Sequence, residues 1–246
     1  MSWMGKLLGG GIGFVVGGPV GAILGAVLGH HTMDGGGRLN DHEELQGIYF
    51  VTTFSMLGKL SKSDGQVSPE EIEVVDQLIK NHLRLPGEAR KFAIRIFTEG
   101  KNSSDAFEDY ASQFYQAFRS RPEVLVSLVD LLLRVSHADG VLHPEEERLI
   151  QQAVDIFGVP EEYRQLKSRY SKVNDLERCY AVLGAAYGES LKDVKKKYRR
   201  LAMEYHPDRV QAKGVSPEFA SLAEDRFKEI QHAFDVVEKH LSSKSD

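Results

Sequence analysis

An all-α fold is predicted by three observations. Residues 7–29 form an uncharged, glycine-laddered apolar run. A helix–Asp-Gly turn–helix unit occurs twice at an offset of 75 residues, and two amphipathic helical stretches flank His206-Pro207-Asp208. Strand-like alternation is absent, so no sheet is expected. The chain of 246 residues is 41% apolar and 27% charged, which excludes disorder throughout and suits two modest domains. Its net charge of −5 is unevenly spread: residues 1–175 hold 18 Lys and Arg against 24 acids, residues 176–246 hold 13 against 12. A global nucleic-acid footprint is therefore missing. The single cysteine, Cys179, can form no internal disulfide and reads as core filler.

Residues 1–6 form a short tail. The 23 uncharged residues from Leu7 to Gly29 would reach about 34 Å as one helix, enough to cross a bilayer core. Leu7, Leu8, Ile12, Phe14, Val15, Val16, Val20, Ile23, Leu24, Val27 and Leu28 supply about −3 to −7 kcal/mol of insertion free energy. Gly9, Gly13, Gly17, Gly21, Gly25 and Gly29 recur every fourth residue. Such a stripe lets two helices approach closely in lipid, so it predicts a homodimer. Pro19 should kink the span. The run is too long for a signal-peptide core, and no small-x-small cleavage site follows. Lys6 and Arg38 lie on opposite sides, so charge does not fix the orientation.

Residues 30–45, with Gly35-Gly36-Gly37, read as a flexible tether. A helical region follows over 46–169, with candidate helices near 45–62, 69–83, 87–98, 104–119, 122–137, 144–157 and 160–169. Phe107, Tyr110, Ala111, Phe114 and Phe118 make one apolar stripe; Leu149, Ile150, Ala153, Val154 and Phe157 make another. In the duplicated unit, Ser61, Asp64, Gly65, Pro69, Glu70 and Glu71 correspond to Ser136, Asp139, Gly140, Pro144, Glu145 and Glu146. Each second helix is entered through proline with acids in its first turn, where the helix dipole favours them. An EF-hand is excluded. With Gly65 at the sixth loop position, Leu60 and Lys62 would be ligands, and Val135 and His137 in the second copy; none can supply the oxygens calcium needs. A looser divalent site at Asp64 and Asp139 is left open, as is a transition-metal set of His137, Asp139 and His143. The paired units resemble the tellurite-resistance TerB family, which implies an all-helical domain offering an acidic surface or packing on its twin.

After a linker at 170–175, the last unit covers 176–241. Val194, Tyr198, Leu201 and Tyr205 share one helix face, while Lys192, Lys195, Lys196, Lys197, Arg199 and Arg200 occupy the others. Ser190 is the expected N-cap with Asp193 as its partner, and Pro207 ends the helix near His206. A second helix is expected to start at Ser216-Pro217, with Ala223, Phe227, Ile230, Phe234 and Val237 inward. The two helices would be antiparallel, joined by a tight polar loop with the tripeptide at its tip. Six cations on one helix attract phosphate, but beside an acidic neighbour a nucleic-acid role would leave the tripeptide idle.

Tyr198-Arg199-Arg200-Leu201-Ala202, His206-Pro207-Asp208 and Phe227-Lys228-Glu229-Ile230 resemble a J domain, and Cys179-Tyr180-Ala181-Val182-Leu183-Gly184 resembles its first helix. The resemblance implies a non-enzymatic partner that stimulates ATP hydrolysis by DnaK-type chaperones. Asp208 would meet an arginine of the chaperone, His206 would shape the loop and Pro207 would fix its turn. Lys195, Lys196, Arg199 and Arg200 would steer the helix onto an acidic face. Tyr180, Leu183, Tyr198, Leu201, Phe227, Ile230 and Phe234 would form the core. No Gly/Phe-rich stretch and no Cys-x-x-Cys repeats follow. The three-part order is similar to the DjlA family of membrane-anchored DnaJ-like proteins. It implies an inner-membrane regulatory co-chaperone with its N-terminus periplasmic and its C-terminus cytoplasmic, and no cofactor. The competing expectations are an envelope stress sensor whose TerB-like domain binds metal or protein, and a scaffold acting through its glycine ladder.

Overall fold

The computed structural model describes residues 17–28, 40–61, 73, 76–77, 79–80, 85, 87–137, 142–169, 175–216 and 219–243. Among them are eleven α-helices and no strand: α1 (Gly18–Leu28), α2 (Asp41–Ser61), α3 (Gly87–Asn102), α4 (Phe107–Phe118), α5 (Pro122–Ser136), α6 (Pro144–Phe157), α7 (Pro160–Ser168), α8 (Asp175–Val182), α9 (Leu191–Glu204), α10 (Pro207–Ala212) and α11 (Ala220–Ser242).

The axis of the middle domain is α2, buried on every side from Gln46 to Gly58. Its start lies inside the stretch expected to be a tether. Asn40 caps it, its Oδ1 accepting from the Glu43 amide at 2.9 Å while Glu43 returns a carboxylate to the Asn40 amide at 3.1 Å. Packing α2 on α3 brings backbone against backbone. A Cβ on Gly58 would lie 2.3 Å from the Phe97 carbonyl oxygen, and one on Gly100 would lie 2.5 Å from Ser55 Cα. Both positions require glycine. Around this crossing, α4, α5, α6 and α7 close a core that includes Phe50, Phe54, Phe92, Phe97, Tyr110, Phe114 and Phe118. The helix expected at 69–83 falls largely outside the described residues, as do the tether and both Asp-Gly turns.

A continuous helix over 7–29 is not found among the described residues. Gly17 is not helical, and Gly18 takes φ +71° before Pro19 opens α1. The residue before a proline avoids the helical region, and glycine readily adopts positive φ. Pro19 thus begins a helix instead of kinking one. Val20, Ile23, Leu24 and Val27 of α1 are buried against α2, α3 and α4. The Gln113 side chain holds the start of α1, its Oε1 accepting from the Val20 amide at 3.1 Å and its Nε2 donating to the Gly17 carbonyl at 2.8 Å. Arg95 donates to the Val27 carbonyl at the other end. No helix among the described residues is long and apolar enough to cross a membrane. Of the ladder, Gly17 and Gly25 are exposed and Gly21 is half-buried; Gly9, Gly13 and Gly29 lie outside the described residues.

In the last unit, α8, α9 and α11 enclose Tyr180, Leu183, Val194, Tyr205, Ile230, Phe234 and Val237. Tyr198 stacks on Phe234 with ring centroids 4.2 Å apart. Phe227, expected in that core, is only half-buried and turns its ring toward His206 instead.

Candidate functional site: the His-Pro-Asp corner

The site begins with a well-capped helix. Ser190 Oγ accepts from the Asp193 amide at 3.2 Å and donates to the Asp193 carboxylate at 2.6 Å, so the expected cap is present. The α9 helix ends at Glu204 with Tyr205 as its C-cap. His206 is extended (φ −62°, ψ 127°) and is the N-cap of α10, whose first residue is Pro207. Proline acts here as a helix starter, since its missing N–H is unneeded in the first turn. The expected tight polar loop is therefore replaced by a six-residue helix followed by a buried apolar segment, in which Val210 and Val215 are covered. Ser216 does not cap α11 directly. Its carbonyl accepts from the Phe219 amide at 2.9 Å, and Phe219 is the residue at the helix entrance. Pro217 lies outside the described residues.

The tripeptide is displayed. The His206 side chain is 47% exposed and that of Asp208 91%, with His206 Nδ1 3.9 Å from Asp208 Oδ2. The His206 ring meets Phe227 edge-on at 5.7 Å. Behind it on α9, Lys196, Arg199 and Arg200 are exposed, and Lys195 is half-exposed and paired with Glu238 at 2.8 Å. Lys197 faces inward, reaching the Gly184 carbonyl at 2.9 Å and Glu189 at 2.8 Å. That contact is the largest cause holding the Glu189 carboxyl below its usual range.

Two exposed residues at this face escaped the sequence reading. Met203 is 58% exposed, an apolar group among cations. Arg209, one residue past the tripeptide, is exposed and donates to the Met203 carbonyl at 3.4 Å. Lys196, Arg199, Arg200 and Met203 stand at i, i+3, i+4 and i+7, so helical spacing alone assigns Met203 to the cationic face. The arrangement can dock on an acidic, partly apolar surface; it brings together no nucleophile, base and oxyanion donors.

The metal candidates do not join this site. Asp64 and Asp139 lie outside the described residues. The His137 ring bonds the Leu133 carbonyl through Nδ1 at 2.8 Å, and the His143 amide donates to Glu146 at 3.0 Å, so both sit at helix ends. Cys179 is buried, and burial pushes its thiol pKa up, as suits core filler.

Family comparisons agree with this three-part anatomy. The tellurite resistance protein TerB family matches residues 51–168, the DnaJ domain matches 178–244, and the co-chaperone DjlA transmembrane domain matches 1–37. The co-chaperone protein DjlA of Photobacterium profundum is 31% identical over 98% of this chain and 99% of its own. That of Coxiella burnetii is 29% identical over 97% of this chain and 98% of its own. No solved structure matches. With a transmembrane domain, a TerB domain and a J domain in this order and at near full length, the chain belongs to the DjlA family of membrane-anchored co-chaperones.

Proposed function

We propose that this chain tethers a DnaK-type chaperone at the bacterial inner membrane and stimulates its ATP hydrolysis. The observation that carries the reading is the exposed His206 and Asp208 at the end of a helix whose outer face bears Lys196, Arg199 and Arg200. Exposed cations of this kind raise encounter rate and set register, and salt weakens them. The chain contributes no catalytic group; it favours the hydrolysis-competent state of the chaperone by binding that state better. The C-terminal half must then face the cytosol, with the N-terminus periplasmic, and the recruited clients are envelope-linked regulatory proteins. Gly25 on α1 and Gly17 just before it are exposed, with open space beside them. That free small-residue face supports a homodimer within the bilayer.

Single-turnover ATP hydrolysis by DnaK, with the full chain in lipid discs, tests the reading. Stimulation that is abolished by His206→Gln is the expected result. Absence of stimulation, or equal stimulation by the variant, would overturn it.

A further inference from the structure

We propose that the TerB domain clamps the His-Pro-Asp corner, with Glu123 and Asp130 as positioning residues that set the tripeptide from outside its own domain. The consequence for chaperone binding rests on the function proposed above; the clamp itself does not.

Three independent contacts make the clamp. The first is apolar. Val210, Val215, Phe219 and Ala223 are buried in the core of the TerB domain and not in that of their own module. The Phe219 ring lies 5.0 Å from Tyr49, 5.8 Å from Phe54 and 6.0 Å from Phe50, all on α2. The second is a close backbone approach. Gly214 takes φ +86°, and a Cβ there would stand 3.1 Å from both Arg121 Nη1 and Leu45 Cβ. Arg121 Nη1 donates to the Lys213 carbonyl at 3.0 Å, and Lys213 Nζ pairs with Glu123 at 2.9 Å, side chains 29% and 18% exposed.

The third is ionic and buried. Asp130, on α5, accepts from Arg169 at 3.1 Å and faces Arg226 Nε at 3.7 Å. Arg226 is 1% exposed, also pairs with Glu229, and places its guanidinium 5.5 Å from the Tyr205 ring, next to His206 in sequence. Its Nε and Nη2 make no hydrogen bond, so the Asp130 charge is what offsets this end of the buried guanidinium. A line of contacts thus runs from Asp130 through Arg226 and Tyr205 to the tripeptide.

The clamp grips the inner side of the corner only, since His206 and Asp208 stay open to solvent. Holding a binding element in one arrangement beforehand reduces the entropy lost on association. A clamped corner should therefore bind the chaperone at lower concentration with an unchanged maximal effect.

Charge exchange across the contact tests this on the full chain in lipid discs, with Glu123→Lys, Lys213→Glu and the double variant. The first readout is amide hydrogen exchange at Val210, Lys213 and Gly214, whose amides bond within the corner. Each single variant should speed exchange about tenfold and raise the half-saturating concentration for DnaK stimulation about tenfold, leaving the maximal rate unchanged. The double variant should return both to within about twofold of the parent, as a direct pair requires. Unchanged exchange in the single variants, or additive loss in the double, would overturn the clamp. If exchange follows the expected pattern while the parent fails to stimulate DnaK, the clamp stands and the proposed function falls.

Discussion

The two ends of the J domain are built differently. At the hairpin end, α8 and α11 close on their own residues: Tyr180, Leu183, Ile230, Phe234 and Val237 form a core of the module's own, although α8 also packs on α7 of the TerB domain. At the corner end, Val210, Val215, Phe219 and Ala223 complete the core of the TerB domain. One end keeps a core of its own, whereas the other shares one. A segment can thus belong to one domain by family and to another by burial, and it is the burial that decides what unfolds with what.

The contrast is broken most severely at Asp130. Asp130→Asn removes the charge that Arg169 and Arg226 share, leaving Arg226 with Glu229 alone, and breaking a buried pair costs about 3–5 kcal/mol. The denaturant midpoint should fall, with amides of both domains losing protection together. The same group sets a pH dependence. Burial alone would raise the Asp130 carboxyl, but Arg169, Arg226 and Arg134 outweigh it and hold it below the usual range. A depressed carboxyl contributes stability that is complete above its unfolded value of about 3.9 and lost as pH falls below it. Acid titration from pH 5 to 2 should release the corner in the parent and much less in Asp130→Asn.

Next in size is Ile230→Ala, which cuts the self-contained core and should cost about 2–5 kcal/mol. Hydrogen exchange should quicken in α8, α9 and α11 while α2 keeps its protection. Gly214→Ala adds a Cβ at positive φ against Arg121 and Leu45, and should cost about 1–3 kcal/mol, read as faster exchange confined to residues 210–216. The smallest effect is Ser190→Ala, which removes the α9 cap for about 1 kcal/mol and should lower the melting temperature slightly without disturbing the corner.

How much of this was legible beforehand follows from where each signal resides. Helical periodicity and proline entrances place α3 to α7 within a few residues, and the Ser190 cap and the α9 end are local chemistry. Val210, Val215 and Phe219 follow no helical stripe, so nothing in their spacing announces burial. Gly58 and Gly100 make sense only once two helices cross. Asp130 did carry a signal: a lone acid within Val124–Val135, otherwise apolar but for Ser127 and Arg134, must be paired where it is buried. The tripeptide and its cations were readable from sequence because exposure is the default for charged side chains. The outward turn of Met203 was readable from helical spacing, whereas the inward turn of Lys197 depended on Gly184 and Glu189 in the connection between α8 and α9.

The shared core is tested most directly by hydrogen exchange of the α2 amides in the full chain carrying Phe219→Ala, with Ile230→Ala as the comparison. Truncating a buried phenylalanine should cost about 3–5 kcal/mol, and here the loss should appear in the TerB domain at residues 46–58, where Ile230→Ala has no effect. If α2 keeps its full protection after Phe219→Ala, the corner is not part of that core and the account is contradicted.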